Sequence, residues 1–498
     1  MARNGRVVIL GGGISGLASA WRLSNRIHPR KIVLVEGQSS IGGWIKTAKS
    51  PTGSLFENGP RSVRPQGKAG IATLQLVSDV GLENSVIPVT SVHSYAKRRY
   101  VYAKNRMNAL PTAPSVSVLL KRQEPFERSF ARAGVKDLFS FRGTGLKYTD
   151  PPPDAIYHLS RGESINSFFE RRFGEDIARY GVAAMCRGVY AGDSKLLCLR
   201  SCFPLLYDLE QKHRSVVLGM LRHKADPVPA DAAQLVKRSR EEKWRMWTLQ
   251  EGMESLPITL HQKLLERGVD VRLGTMCSGV EMTAKGVQVH CGEEIIEADH
   301  VISALPAQHL SSVLSPQFSF LKEQLADILS VTVAIVQMEF DGDIIPEKYK
   351  GFGYLVPPCE GDWVLGVVLD SCCFPEHNTP GKPNSTRLTV MMGGQWYHQL
   401  FANESNTDDL FVHHATKALR NHLEITNPRP SFINTTILKD CIPQYYMGHF
   451  SRIEGISAYI KQRQLPISLI GSSYRGVSVN DCILGANTAV DEWCKTQV

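Results

Sequence analysis

The turn Gly11-Gly12-Gly13-Ile14-Ser15-Gly16 follows the apolar run Val7-Val8-Ile9-Leu10 and precedes Leu17-Ala18-Ser19-Ala20-Trp21-Arg22-Leu23, a helix-favouring stretch. Strand, glycine turn and helix in that order open a βαβ unit. Glycines at its first, third and sixth places suit a tight turn, close approach of backbone to a pyrophosphate and close packing of helix on strand, each of which excludes a Cβ. Twenty residues after Gly16, a second apolar run, Ile32-Val33-Leu34-Val35, ends at Glu36. A carboxylate there can accept hydrogen bonds from the ribose hydroxyls of an adenosine. Alone, Glu36 would be an ordinary solvated strand-end acid; in this order of elements it completes a dinucleotide seat.

A chain of 498 residues exceeds what one core can organise, so two or three domains are expected. Its eleven cysteines include no C-x-x-C pair and no metal-type Cys/His cluster. That pattern suits free, mostly buried thiols in a reducing interior or a mitochondrion better than a secreted disulfide framework; no metal is expected. No apolar stretch reaches the roughly eighteen residues of a membrane-crossing helix. The first strand begins by Arg6, which leaves no room for a cleavable leader ahead of it, so any organelle address is expected to be internal.

The net charge of +9 is concentrated. Between Lys97 and Lys147 stand twelve bases (Lys97, Arg98, Arg99, Lys104, Arg106, Lys121, Arg122, Arg128, Arg132, Lys136, Arg142, Lys147) against three acids (Glu124, Glu127, Asp137), and the rest of the chain balances to zero. Interleaved are Val116, Val118, Leu119, Leu120, Phe126, Phe130, Val135, Leu138, Phe139 and Phe141. The stretch reads as basic amphipathic helices, suited either to an anionic membrane surface or to a solvated face over a core. It has the charge but no motif for nucleic acid, and no nucleic acid partner is expected.

Further along, Ala72 to Val80 reads as a helix, the prolines of 149–154 as a loop, and Ser164 to Ala191 as helical. A helix to about Arg267 precedes short strands at Val269 to Leu273, Cys277 to Met282 and Val287 to His290. Asp299 to Pro306 returns to the nucleotide domain, as does Ile467 to Ile470. Strand-like runs at Val331 to Phe340, Gly353 to Val356, Val364 to Leu369 and Leu388 to Met392 suggest an antiparallel sheet. Three more turns bear on the cofactor. Gly42-Gly43-Trp44-Ile45 lets backbone pass close to a ligand, and Phe56 to Ser62 carries one cation, Arg61, able to face a ring system or phosphate. Gly471 to Val479 ends at a helix N-terminus, whose amide dipoles would stabilise negative charge on the N1 and O2 side of a reduced redox ring.

With these motifs the chain resembles the FAD-containing amine-oxidase-like flavoproteins, and within them the animal, mitochondrial branch that oxidises a porphyrinogen. The likeness covers nearly the whole chain. It is carried by Val8 to Ala18, Ile41 to Trp44, Asn58 to Arg61, Cys186 to Gly192, Arg200 to Pro204, Asp299 to Pro306, Cys441 to Tyr445 and Gly471 to Asp481. The resemblance implies an α/β and α+β fold. A discontinuous Rossmann-like FAD-binding domain (1–91, 247–309, 432–498) joins an antiparallel-sheet substrate domain (205–246, 310–431) and an inserted helical membrane-binding domain (92–204). It also implies FAD contacts from Gly11, Gly12, Gly13, Ile14, Ser15, Gly16, Glu36, Gly43, Trp44, Gly59, Pro60, Arg61, Ser62, Val477, Ser478 and Val479, and from Cys277 through its backbone near adenine.

The implied reaction is the six-electron oxidation of protoporphyrinogen IX to protoporphyrin IX in heme biosynthesis, with three O₂ giving three H₂O₂. The implied place is the intermembrane-space side of the mitochondrial inner membrane, on its anionic surface, beside a porphyrin-chelating partner enzyme. Arg99 matches the arginine that pairs with a substrate propionate, and Phe352, Gly353, Leu355 and Val368 match the apolar walls of the tetrapyrrole site. Tyr100 stands in that site where related sequences have Phe, and Leu438 where other branches place a flavin-flanking aromatic. The residues themselves agree. A flexible apolar macrocycle with two carboxylates needs a well-placed cation in a greasy slot, and Arg99-Tyr100-Val101-Tyr102 offers one. No catalytic acid or base stands out, as expected where the cofactor carries the hard step and the protein orients the reactants. The competing reading within the fold is an amine-oxidising flavoenzyme, which would favour an aromatic cage where Leu438 stands. From another class comes a membrane- or nucleic-acid-binding protein with a relic nucleotide fold, whose preparations would be colourless.

Overall fold

The computed structural model describes residues 5–111, 115–140, 162–224, 226–284, 286–382, 384–401 and 407–496. The proline loop expected at 149–154, together with Phe141, Arg142 and Lys147, lies outside the described residues. The first sheet is parallel, in the order Ile467–Leu469, His300–Ser303, Val7–Leu10, Ile32–Val35, Asp270–Arg272. Val8 sits in register between Val33 and Val301. The three middle strands are buried along their whole length, as parallel strands covered on both faces must be. One face is covered by helices Ile14–Ser24, Gly67–Asp79, Ser255–Glu266 and Val479–Thr496. The other carries a three-stranded antiparallel sheet (Gly279–Thr283, Gly286–Cys291, Glu294–Ala298) and helices Ala307–Val313 and Ser319–Ala326. Adjacent strands come from opposite ends of the sequence, so this domain is discontinuous.

The second large sheet has seven strands in the order Phe432–Pro443, Ser330–Phe340, Thr386–Gly394, Val364–Val368, Gly353–Leu355, Arg99–Ala103, Arg106–Ala109. It departs from expectation in three ways. The start of the basic stretch is not helical: Arg99–Ala103 and Arg106–Ala109 form a hairpin. Aromatic and β-branched residues alternate through its first strand, and Lys104 and Asn105, both at φ +56°, supply the left-handed pair that a two-residue turn requires. The sheet is mixed, because Gly353–Leu355 runs parallel to Arg99–Ala103. Phe432–Pro443, expected in the nucleotide domain, pairs along Ser330–Phe340.

Residues 205–246, expected in the substrate domain, contribute no strand to the seven-stranded sheet. Helices Pro204–His213 and Val216–Arg222 join the helical insertion, whereas Gln234–Glu241 and Trp244–Leu249 pack on the nucleotide domain. The insertion also contains Phe130–Phe139, Ile165–Phe173, a π-helical turn Ile177–Val182, Ala183–Val189 and Leu199–Cys202. Arg172 ties it together from a fully buried position. Its Nε donates to Glu210 Oε1 (2.7 Å) and its Nη1 to Asp137 Oδ1 (3.1 Å) and to the Arg214 carbonyl (2.8 Å). Asp137 in turn accepts from the Ser215 hydroxyl (2.5 Å) and the Val217 amide (2.9 Å). Asp137, which reads in the sequence as one of three acids diluted among bases, is a buried counter-ion.

Replacing Arg172 with methionine leaves the buried Asp137 without a cation and Glu210 with Arg171 alone, and breaking a buried pair in this way costs about 3–5 kcal/mol. Denaturant titration of Arg172→Met is expected to show a loss of that size, and a loss below about 1 kcal/mol would contradict the role given to Arg172.

Candidate functional site

The cradle forms where the first parallel strand meets its helix. Gly13 caps helix Ile14–Ser24 without a side-chain hydrogen bond, which leaves first-turn amides free for a ligand. A Cβ on Gly13 would meet nothing within 4 Å, so this backbone borders open space; on Gly16 it would lie 1.9 Å from the Gly11 carbonyl oxygen. The Gly42 amide bonds the Gly12 carbonyl (2.9 Å), which brings the Gly42-Gly43-Trp44 turn alongside. Glu36 accepts from the amides of Gly12 (2.6 Å) and Gln38 (2.8 Å), fixing its carboxylate at the mouth of the turn. The Thr275 amide bonds the Glu36 carbonyl (2.8 Å), so Cys277 lies close to that mouth. Met276, 67% exposed, reaches over Gly37 beside it.

The C-terminal turn closes on the same cradle. A Cβ on Gly471 would stand 3.8 Å from Ser15 Oγ, and Val479, Cys482 and Ile483 pack in one core with Ile14 and Leu17. Ser478 and Asp481 form a capping box: the Asp481 amide donates to Ser478 Oγ (3.2 Å), and the Ser478 amide donates to Asp481 Oδ2 (3.3 Å). Tyr445 braces the turn, donating to the Ser472 carbonyl and accepting from the Gly476 amide (2.8 Å).

Asn58-Gly59-Pro60-Arg61-Ser62 forms the next edge. A Cβ on Gly59 would strike the Trp44 carbonyl oxygen at 1.9 Å, and the Trp44 ring is 42% exposed. Arg61 corrects the expectation of a cation free to face a phosphate, since its Nη1 is paired with Asp370 Oδ1 at 2.9 Å. Asp370 also accepts from the Thr389 hydroxyl (2.7 Å). On these same segments Asn58 Oδ1, Asn480 Oδ1 and Ser303 Oγ are buried with no partner among the described residues. Open backbone at Gly13, uncapped amides and orphaned polar atoms fit an extended polar cofactor.

Opposite the cradle stands one face of the seven-stranded sheet. Paired residues share a face, so Arg99, Gly353, Val368, Thr389, Gln337 and Asn434 form a row. Val101, Leu355, Gly366 and Met391 form the next. Gln337 Nε2 donates to the Glu57 carbonyl (3.0 Å), so this face looks at the nucleotide domain. Leu355 meets helix Ala183–Val189 at Gly188, where a Cβ would come within 2.2 Å of it. The helical insertion is thus the third wall. Phe352 adjoins the row, with the Arg99 guanidinium 5.5 Å from its ring centroid. Leu438 lies on the same face, beside Val333. Tyr100 is a correction. Strand alternation turns it to the opposite face, where it is buried with Tyr354 and its hydroxyl donates to the Lys348 carbonyl (2.9 Å).

Glu57, Asp370, Thr389 and Gln337 were not legible as site residues, because distant segments position them. Glu57 is a buried carboxyl beside Asn58. Burial pushes its pKa up to about 7, against the opposing hydrogen bonds from the Met253 amide (2.7 Å) and the Thr47 hydroxyl (2.9 Å). Its only signal in the sequence is an acid inside the apolar strand Leu55–Glu57. Among the described residues no cluster of His, Cys, Asp or Glu could hold a metal.

The folded-state pKa of about 7 exceeds the ordinary 4.5, so folding favours the protonated form. The contribution of Glu57 to stability is then complete below about pH 4.5 and lost as pH rises through about 7, a difference of about 3 kcal/mol. Denaturant midpoints measured across this window are expected to fall less for Glu57→Gln than for the wild type. Parallel profiles would contradict the assignment.

A profile of the family described as flavin containing amine oxidoreductase matches residues 14–492. Protoporphyrinogen oxidase of Bos taurus is 40% identical over 479 residues, 96% of each chain. Among solved structures, a candidate protoporphyrinogen oxidase from an Exiguobacterium species superposes with a TM-score of 0.73 at 20% identity, covering 99% of each chain. Cyclohexylamine oxidase from Brevibacterium oxydans superposes with a TM-score of 0.67 at 14% identity, again over 99% of each chain. The two structures share the fold with this chain.

Proposed function

We propose, from the premise that this chain belongs to the flavin-containing amine oxidoreductase family and to its protoporphyrinogen oxidases, that the three-walled cleft oxidises protoporphyrinogen IX to protoporphyrin IX in heme biosynthesis. The chain is an oxidoreductase, and FAD is its cofactor. The observation that carries the substrate is the row Arg99–Gly353–Val368, one guanidinium at the end of an apolar sheet face opposite the glycine cradle. Arg99 has no ion-pair or hydrogen-bond partner for its side chain among the described residues and stacks over Phe352. A propionate would complete it, while Val368, Leu355 and Phe352 hold the macrocycle. An amine substrate fits poorly. Its ammonium would need an aromatic cage or a free carboxylate, whereas Leu438 is aliphatic and Asp370 is occupied by Arg61.

Bound FAD supplies the acceptor for hydride removal from the ring and passes the electrons to O₂. Six hydrogens leave the porphyrinogen and three O₂ become three H₂O₂. This chain's residues do the orienting. Gly11, Gly12, Gly13, Ile14, Ser15 and Gly16 seat the pyrophosphate, Glu36 and the Cys277 backbone the adenosine. Gly43, Trp44, Gly59, Pro60, Ser62, Val477, Ser478 and Val479 surround the ring, with Arg61 acting through Asp370 to hold the Asn58–Ser62 edge.

The helical insertion is read as a membrane-surface element. Leu120, Val135, Leu138 and Phe139 are exposed beside the exposed bases Lys121, Arg122, Arg128 and Arg132, and Met220 and Leu221 extend the apolar area on the adjacent helix. An apolar patch rimmed by cations suits an anionic bilayer. Among the described residues no helix is long and apolar enough to cross a membrane. The surface we propose is that of the mitochondrial inner membrane on its intermembrane-space side, where an apolar product can pass to a porphyrin-chelating enzyme.

Oxygen-dependent growth of porphyrin fluorescence on adding protoporphyrinogen IX to the FAD-loaded protein tests the reaction. Arg99→Ala is expected to raise KM about 10- to 100-fold, the worth of one charge-assisted hydrogen bond; no fluorescence from the wild type would overturn the proposal. Separately, Arg128→Glu combined with Arg132→Glu is expected to lower sedimentation with anionic vesicles at low salt, and unchanged sedimentation would remove the membrane role.

A further inference from the structure

The substrate carries two carboxylates, and the row on the sheet face answers only one of them. Two further guanidiniums stand near Arg99. Val63 and Trp247 exchange both backbone hydrogen bonds at 2.9 Å, which places Arg64 opposite Met246 and sets Arg64 and Arg245 on neighbouring backbone. Met246 packs in one cluster with Phe352 and Cys373, and Phe352 is the ring over which Arg99 lies. Along Trp244–Leu249, Arg245 alone is exposed while every neighbour is buried. Asn480, in the first turn of helix Val479–Thr496, donates to the Arg64 carbonyl (2.8 Å), tying this corner to the C-terminal turn of the cofactor cradle.

None of the three guanidiniums has a carboxylate partner among the described residues, and the nearby acid Asp370 is paired with Arg61. Burial above all, and then the charges of Arg64 and Arg245, weaken the hold of Arg99 on its proton. Arg99 therefore lies in the field of two further cations, an arrangement that an anion of more than one charge relieves.

We infer that Arg64 and Arg245 form a second carboxylate subsite, so that the cleft selects a tetrapyrrole with two propionates by clamping one on Arg99 and the other on the Arg64–Arg245 pair. The inference rests on the porphyrinogen reading and adds residues whose role is specificity. Two anchors fix the macrocycle in its plane against rotation, whereas one anchor leaves it free to pivot. Neither residue touches the reacting bonds, so both are positioning residues.

The test uses FAD-loaded full-length protein, wild type and the single variants Arg64→Gln, Arg245→Gln and Arg245→Lys. Steady-state oxidation is followed with protoporphyrinogen IX and with its dimethyl ester, and binding of protoporphyrin IX and of its dimethyl ester by fluorescence. For each glutamine variant the ratio of diacid KM to diester KM is expected to rise about tenfold over wild type, with diacid binding weakened in step and partly restored in Arg245→Lys. Equal shifts for diacid and diester, or no shift in either binding or KM, would overturn the subsite. A wild type that oxidises no porphyrinogen would overturn the reaction. The binding ratios would then still decide the subsite, through selective or unselective loss of the diacid.

Discussion

Everything in the cleft depends on contacts between backbones that leave no room for a side chain. The Gly11 carbonyl sits where a Cβ of residue 16 would be, and the Trp44 carbonyl where a Cβ of residue 59 would be, each at 1.9 Å. These approaches bring the start of helix Ile14–Ser24, the Gly42–Trp44 turn and the Asn58–Ser62 edge within reach of one extended ligand. The C-terminal helix completes the ring by packing Val479 and Cys482 against Ile14 and Leu17. A fold that joins both ends of its chain around one glycine turn holds a cofactor with little adjustable structure, and pre-organisation of that kind is what an orienting enzyme requires.

The second constraint is the register of the seven-stranded sheet. Because residues of one strand alternate between faces, the hairpin turn at Lys104-Asn105 decides that Arg99 and Val101 share the face covered by the cradle and by Tyr180 and Ala184 of the helical insertion, while Tyr100 and Tyr102 look at the core beneath helix Thr407–Leu423. Slipping that pairing by one residue would exchange the two sets. Gln337 and Thr389 then fasten this face to the nucleotide domain, through the Glu57 carbonyl and through the Asp370–Arg61 pair. The site is therefore a junction between domains, and its polar anchors are shared by both.

Features written in consecutive residues were legible in the sequence: the glycine turn, Glu36 after its strand, the Gly471–Val479 turn, the strands of the parallel sheet and four of the seven strands of the second sheet. Features that arise from pairing across the chain were not. Arg61 reads as a free cation until Asp370 is brought to it, Asp137 reads as a surface acid until Arg172 is, and Arg64 meets Arg245 only through the Val63–Trp247 ladder. The stretch 99–109 was misread for a different reason. Its bases and aromatics mimic an amphipathic helix in composition, but the alternating tyrosines of Arg99–Ala103 ahead of a two-residue turn make a hairpin.

The central claim is that one cleft brings a flavin and a porphyrinogen together, and the flavin's own colour reports it most directly. Mixing the FAD-loaded protein with protoporphyrinogen IX in the absence of O₂ is expected to bleach the yellow flavin band, and admitting O₂ should restore it as porphyrin fluorescence grows. A band that persists unchanged after anaerobic mixing, in protein that holds its FAD, would contradict the account.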